Sequence, residues 1–428
     1  MADSQAHSGA AVPSLAHRVQ EDRRQPHMRP FHTLVTVLLV VSPAVGQHAP
    51  SIGYMFPSAG RAGETIEVTL GGYDWTPDMQ LFVHDPRITL EMIAPPGPVL
   101  VPEPPYWFGK KARRGPFSLP RETRARLTIP AGVAPGPIGW QAANANGATA
   151  PGRFVVGELP VLVEQEGRVD PQLIAELPIR IAGQIKHIRE VDEYEFTASR
   201  NGPVTCAITA RTVGSSLNPI VEVRDQSGRM IADAADTGGH DTALTFAAEA
   251  DKSYRIRVYD LDFRGNRAFT YQLDLTPGPR VVAAIPAGGR RGETRAVEFV
   301  GYGIASGQPQ LESVVREVSF PAEAAFGYRL ETPHGTSPPF RLYTSVLPQT
   351  VEPMGLLTLP VAVTGIISQR YGHDRYRVAG KQGDVWSISA AAEAIGSPLD
   401  LAVALCDAAG KELQRGDLTS RSLTEALL

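Results

Sequence analysis

Two different phrases recur in alternation along this chain, and that restricts it to an array of small modules rather than one large domain. PSAGRAGETIEVTLGGY, from Pro57, returns without a gap as PAGGRRGETRAVEFVGY, from Pro286. LPIRIAGQI, from Leu177, returns as LPVAVTGII, from Leu359. Both copies of this second phrase continue into an acidic-aromatic pattern, Asp192-x-Tyr194-x-Phe196 and Asp374-x-Tyr376-x-Val378. The order is therefore A-B-A′-B′. With 428 residues in all, each unit is long enough for a modest core.

The local patterns inside the units are those of strands. Glu64 to Leu70 alternates polar and apolar at period two, so one face is buried and the other wet, and Gly71-Gly72 is expected to end the run. Gly60 to Gly63 supplies the preceding turn. Further strands are expected over Arg124–Pro130, Gly139–Asn144 and Gly152–Val156, with Trp75 and Trp140 in a sandwich core. In module B, Pro219 opens a strand that runs through Arg224, Asp225 to Gly228 turns the chain, and Arg229 to Ala232 returns. Tyr254, Ile256 and Val258 share one face of another strand, and Phe269 to Leu275 closes the module. The fold class expected is all-β, tandem small β-sandwich modules in an A-B-A′-B′ array. Their boundaries fall at 50–157, 158–277, 278–355 and 356–428, and the first A copy carries a Pro- and Gly-rich insertion at 95–121.

Module B resembles the bacterial pre-peptidase C-terminal domain. The resemblance rests on Gly183-Gln-Ile185, Asp192-Glu-Tyr194-Glu-Phe196, Ser215-x-Leu217-Asn218, Asp225-x-x-Gly228, Asp241 to Phe246 and Tyr254-x-Ile256-x-Val258. It implies a small β-sandwich of the kind found beside secreted proteases, some members of which bind calcium. Module A is similar, over a shorter stretch, to immunoglobulin-like domains of the IPT/TIG kind, through its Pro-x-x-Gly opening and Gly-Gly-Tyr. The second B copy keeps an offset of 182 as far as Asp407-Ala-Ala-Gly410, but on that offset the last residue, Leu428, answers to Phe246. Nothing in the sequence then answers to the last two strands of B, so a truncated product or fragment is expected, and whether the copy folds is open.

Residues 1–46 read as a secretory signal peptide, with Met28 as a plausible true start: Arg29 precedes an apolar run of about a dozen residues, and small residues stand before Gln47. That run is shorter than the roughly 20 residues a membrane span needs, so no stable span is expected, and the protein is placed outside the cytoplasm: secreted, periplasmic or on the cell surface. Lys plus Arg is 41 and Asp plus Glu is 45, a net charge of −4, which leaves no basic field for nucleic acid. Of the two cysteines, Cys206 reads as a buried free thiol on a strand.

No GxSxG, HExxH, P-loop, CxxC or CxxCH motif occurs, and a non-enzyme is expected. His187, His240 and His373 read as solvated loop residues. No cofactor is required; the one candidate is Ca²⁺ on Asp233, Asp236 and Asp241 in a glycine-bearing loop, with turn-forming aspartates as the other reading. The candidate contact set is Tyr106, Trp107, Lys110, Lys111, Arg113 and Arg114. With the adjoining Phe108, three aromatics beside four cations suit a polysaccharide, cell-envelope or protein ligand, while the alternative has the aromatics tucked against module A. Two functions stand open: an exported, non-catalytic binding, adhesion or spacer protein, or the accessory N-terminal region of a larger secreted hydrolase such as a peptidase.

Overall fold

The structure is a computed structural model that describes residues 48–100, 120–235, 241–352, 355–381, 383–392, 395–397, 399–417 and 426–427. It is all-β: among the described residues helix is limited to 3-10 turns, at Arg211–Val213 and at Ile395. In the first A module one sheet is ordered Ser51–Phe56, Thr65–Tyr73, Pro120–Thr128, Thr89–Met92. The other is ordered Ala59–Arg61, Gly152–Gly157, Gly136–Asn144, Gln80–Val83. Val68, Leu70 and Leu127 from the first sheet meet Trp140, Phe154 and Val156 from the second in one core. Trp75 and Trp140 are 2% and 1% exposed. Module A′ repeats the pattern down to its irregularity. The pairing slips between Ile52 and Tyr54 in one copy and between Val281 and Ala283 in the other, equivalent positions of the repeat.

The strand Thr65–Tyr73 runs on through Gly71 and Gly72, although alternation alone would end it there. The glycines stay in the strand because aromatic rings occupy the space a side chain would take. A Cβ on Gly71 would lie 2.2 Å from the Tyr54 ring, and one on Gly72 would lie 2.0 Å from the Trp75 indole. Gly72→Ala is therefore expected to destabilise this module by about 1–3 kcal/mol through overpacking. The check is the denaturant midpoint followed by tryptophan fluorescence, and an unchanged midpoint would mean that the indole yields freely.

Among the described residues module B has ten strands: β1 (Val161–Val163), β2 (Gln172–Leu173), β3 (Ile179–Gln184), β4 (Asp192–Thr197), β5 (Gly202–Thr209), β6 (Pro219–Asp225), β7 (Met230–Ala235), β8 (Thr242–Ala248), β9 (Ser253–Asp260) and β10 (Thr270–Pro277). They form two five-stranded sheets, ordered β1-β3-β10-β5-β8 and β2-β4-β9-β6-β7. The alternation of β9 turns Tyr254, Ile256 and Val258 inward, and β10 turns Tyr271, Leu273 and Leu275 inward. These two strands are thus the centre of both sheets. The β6-β7 hairpin is held by Asp225, whose Oδ1 accepts the amides of Ser227 (2.9 Å) and Arg229 (3.1 Å).

Module B′ contributes β11 (Gln349–Val351), β12 (Leu356–Leu357), β13 (Ala362–Thr364), β14 (Arg377–Val378), β15 (Ser387–Ile388), β16 (Ala402–Cys406), β17 (Glu412–Asp417) and β18 (Ala426–Leu427). Among the described residues these pair only two by two, as β11-β13, β12-β14, β15-β18 and β16-β17.

The connectors are short. Glu158–Pro160 joins A to B, Gly278–Pro279 joins B to A′, and Val346–Pro348 joins A′ to B′. Side chains close the joints. Gln272 on β10 donates to the Ser58 carbonyl at 2.7 Å, within buried surroundings. Glu122 of module A accepts both the Tyr54 hydroxyl and Arg267 of module B, the latter at 3.0 Å. At the next joint the Thr205 hydroxyl donates to the Gly278 carbonyl at 3.0 Å, and at the last the Ala287 amide donates to the Thr364 hydroxyl at 3.3 Å.

Candidate functional site

Beside the A-B joint, three pieces of module B bring four carboxylates and a histidine together. The chain leaving β1 runs along β3, so that the Glu164 amide donates to the Ala182 carbonyl (2.9 Å) and the Glu164 carboxylate accepts the Gln184 amide (2.7 Å). Glu166 follows and pairs with Lys186 at 2.6 Å, while the Lys186 ammonium lies 5.9 Å from the Phe56 ring of module A. In the β3-β4 loop the Glu190 carboxylate accepts the His187 amide at 2.6 Å. Asp192 opens β4, is buried, and accepts the Tyr271 hydroxyl from β10. Tyr271 and Tyr194 share a second hydrogen bond at 2.6 Å. Gly183 makes this possible, since a Cβ there would lie 2.2 Å from the Tyr271 ring.

Ligand atoms of Glu164, Glu190 and Asp192 lie within 4.8 Å of one another, and so do those of Glu166, His187 and Glu190. Glu190 belongs to both triads. Burial pushes the Asp192 carboxyl well above the usual carboxylate range, and the charge of Glu164 adds to it. Burial likewise pushes Glu164 up to about 7 and raises Glu190. A cluster of this kind relieves its crowded negative charge either by keeping a proton or by taking a cation. The all-oxygen triad suits a hard divalent ion such as Ca²⁺, whereas the triad with an imidazole suits a borderline metal such as Zn²⁺.

The residues proposed from sequence fall elsewhere. Asp233 is exposed on β7, and Asp236 lies outside the described residues. Asp241 uses its carboxylate on the chain itself, accepting the amides of Ala210 (2.7 Å), Arg211 (2.8 Å) and Thr212 (3.2 Å) together with the Thr212 hydroxyl, and so caps the 3-10 turn. Tyr106, Trp107, Lys110, Lys111, Arg113 and Arg114 lie outside the described residues, as does the 1–46 segment. Cys206 is buried and free, with burial raising its thiol pKa, and Cys406 is exposed and free. Part of the cluster is echoed in the second copy. Asp192 recurs as Asp374, and Glu352 accepts the Ile366 amide as Glu164 accepts that of Gln184, its equivalent in the repeat.

No family model matches the chain. A stretch of 71 residues is 35% identical to a probable subtilase-type serine protease of Deinococcus radiodurans, covering 16% of this chain and 10% of that protein. The chain thus spans about a tenth of the length of the curated relative it matches. Among solved structures it is similar to the pre-peptidase C-terminal domain of a collagenase from Bacillus anthracis, at 18% identity over 26% of this chain and 100% of that one, with a TM-score of 0.22. It is also similar to the secreted serine protease VesC from Vibrio cholerae, at 7% identity over 51% of this chain and 47% of that one, with a TM-score of 0.18. Likeness at these TM-scores carries no functional inference. Among the described residues no helix is long and apolar enough to cross a membrane.

Proposed function

We propose that this chain is a non-catalytic, closely jointed segment of an exported protein, acting as a spacer or presenting arm in the manner of an accessory region of a secreted protease. The observation that carries this reading is the A-B joint, where a three-residue connector is reinforced by the buried Gln272 to Ser58 bond and by Glu122 gripping Tyr54 and Arg267. A joint without slack holds neighbouring modules at a fixed angle, which a positioning arm needs and a flexible tether lacks. The local identity to a subtilase-type protease supports the protease setting. The carboxylate cluster serves the same reading as a clasp. A cation on Glu164, Glu190 and Asp192 would tie the strand that enters module B to its core, a structural use that asks for no reacting group. Recognition by Tyr106, Trp107, Lys110, Lys111, Arg113 and Arg114 of a polysaccharide or envelope ligand belongs to this proposal as the arm's contact.

Small-angle X-ray scattering tests the arm. One conformer is expected to fit the wild-type profile, and Gln272→Ala with Arg267→Ala is expected to broaden the distribution of maximum dimensions. A wild-type profile that requires freely swivelling modules would sink the reading. Loss of polysaccharide binding in a variant with Trp107, Lys110 and Arg113 changed to alanine would assign the contact.

A further inference from the structure

The two A modules share one frame but not one edge. In A′, Thr294–Tyr302 pairs with Leu311–Ser319 from end to end, as Thr65–Tyr73 pairs with Pro120–Thr128 in A. The next contact also matches. The Ile129 amide donates to the Glu64 carbonyl at 2.9 Å in one copy, and the Phe320 amide to the Glu293 carbonyl at 2.8 Å in the other. Ser319 thus answers to Thr128, and Leu311 to Pro120.

In module A the far side of this strand is covered along its whole length. Thr89–Met92 pairs with Ala125 to Thr128, and the amides of Ile93, Gly97 and Leu100 donate to the carbonyls of Arg124, Glu122 and Pro120, each at 2.8 Å. The covering residues belong to the segment 74–119 that joins the two strands. In A′ the same joint is residues 303–310, all of them described. They fold onto Glu312, which accepts the amides of Ala305 and Ser306 at 2.9 and 3.0 Å, and not over the strand. Among the described residues the sheet of A′ therefore ends at Leu311–Ser319. The carbonyls of Leu311, Ser313 and Val315, equivalent to the three that are capped in module A, face outward from it. That of Val315 accepts the guanidinium of its own neighbour, Arg316, at 2.9 Å.

Open edges in natural sheets are commonly short, bulged, or guarded by proline or lysine. This one is nine residues long, LESVVREVS, with no bulge, proline or lysine. Its alternation turns Leu311, Ser313 and Val315 to the outer face, and Leu311 and Val315 are each 58% exposed. These two stand symmetrically about Ser313, which makes the strand complementary to itself. When it meets a second copy antiparallel, with a two-fold axis at Ser313, Leu311 lies opposite the second copy's Val315, and Val315 opposite its Leu311. On the other face Glu312 lies opposite Val314 and Gln310 opposite Arg316, so no like charges meet. The outward carbonyls and amides of the two strands then face one another, as main-chain pairing requires. We infer that two copies of this chain associate through Leu311–Ser319, joining the three-stranded sheets of their A′ modules into one continuous sheet. Main-chain hydrogen bonds supply the affinity of such strand addition, and the reciprocal Leu311 and Val315 pairs set its register.

Sedimentation equilibrium of the full chain reads the association, with the exposed, free Cys406 changed to serine in every sample. The weight-average mass is expected to rise with loading concentration toward twice that of the monomer. Val315→Lys sets a charge opposite Leu311 at both ends of the interface and is expected to weaken association by about tenfold or more. Because Val315 is exposed, the melting temperature of the monomer is expected to stay where it is, which separates lost pairing from lost folding. Ser313→Cys is expected to link two chains by a disulfide under mild oxidation, since directly opposed residues on antiparallel strands hold their Cα atoms about 4.5–5.5 Å apart. Leu311→Cys, which faces Val315 and not itself, is expected to leave them unlinked. A chain that stays monomeric at every loading concentration overturns the inference and would leave a different polypeptide as the occupant of the edge. A dimer that tolerates Val315→Lys, or one that Ser313→Cys fails to link, overturns it as well, because the copies then meet elsewhere or in another register.

Discussion

Replacing Ile256 by alanine is expected to destabilise the first B module by about 2–5 kcal/mol, the range for emptying a fully packed aliphatic site. Ile256 is fully buried at the middle of β9, the strand that joins β4 to β6, and its side chain belongs to the core shared by both sheets. The loss combines the transfer energy of the deleted methyl and methylene groups with the cavity left behind, which flanking strands in regular pairing cannot collapse to fill. Amide exchange of β9 and β10 reads the effect locally. Exchange there should accelerate while Thr65–Tyr73 in module A keeps its rate; an equal acceleration in both would mean that A and B unfold as one cooperative unit.

The second large effect concerns pH and divalent cations. Glu164 and Asp192 hold their protons more tightly in the folded state than in the unfolded chain, because burial disfavours both carboxylates. Their contribution to stability is therefore fully present below the ordinary carboxylate range and is lost as pH rises through the Glu164 value of about 7. Protein stripped of metal by a chelator is expected to melt at a lower temperature at pH 8 than at pH 5. Added Ca²⁺ should reverse the loss at pH 8, since a ligand at a hundred times its dissociation constant contributes roughly 2.7 kcal/mol. Glu164→Gln is expected to flatten the pH dependence and to abolish the Ca²⁺ response together. If Ca²⁺ leaves the melting temperature unmoved at pH 8 while the pH dependence persists, the cluster holds protons only.

Much of this fold is written locally, and that is why it is legible. Tyr254, Ile256 and Val258 announce a half-buried strand by period two alone, and the duplicated phrases fix which strands correspond. Gly71 misleads because the reason for it is not local, the excluding ring of Tyr54 coming from the neighbouring strand, while Gly72 faces the indole of Trp75, which folds back from three residues further on. The carboxylate cluster is hidden for a similar reason. Glu164, Glu190 and Asp192 stand at uneven spacing and converge only when the segment after β1 lies along β3. Asp233, Asp236 and Asp241 look more like a site because they are close in sequence, yet the carboxylate of Asp241 is occupied by the backbone it caps. Charge density along a sequence reports the spacing of carboxylates, while their pKa values and ligand geometry depend on what folds over them.

The three connectors have a mechanical consequence. Glu158–Pro160, Gly278–Pro279 and Val346–Pro348 are too short to coil, so under tension this segment has almost no entropic spring to uncoil. Pulled from its ends, it would hold its length until a sheet ruptures and then lengthen in discrete steps, each releasing the residues of one module.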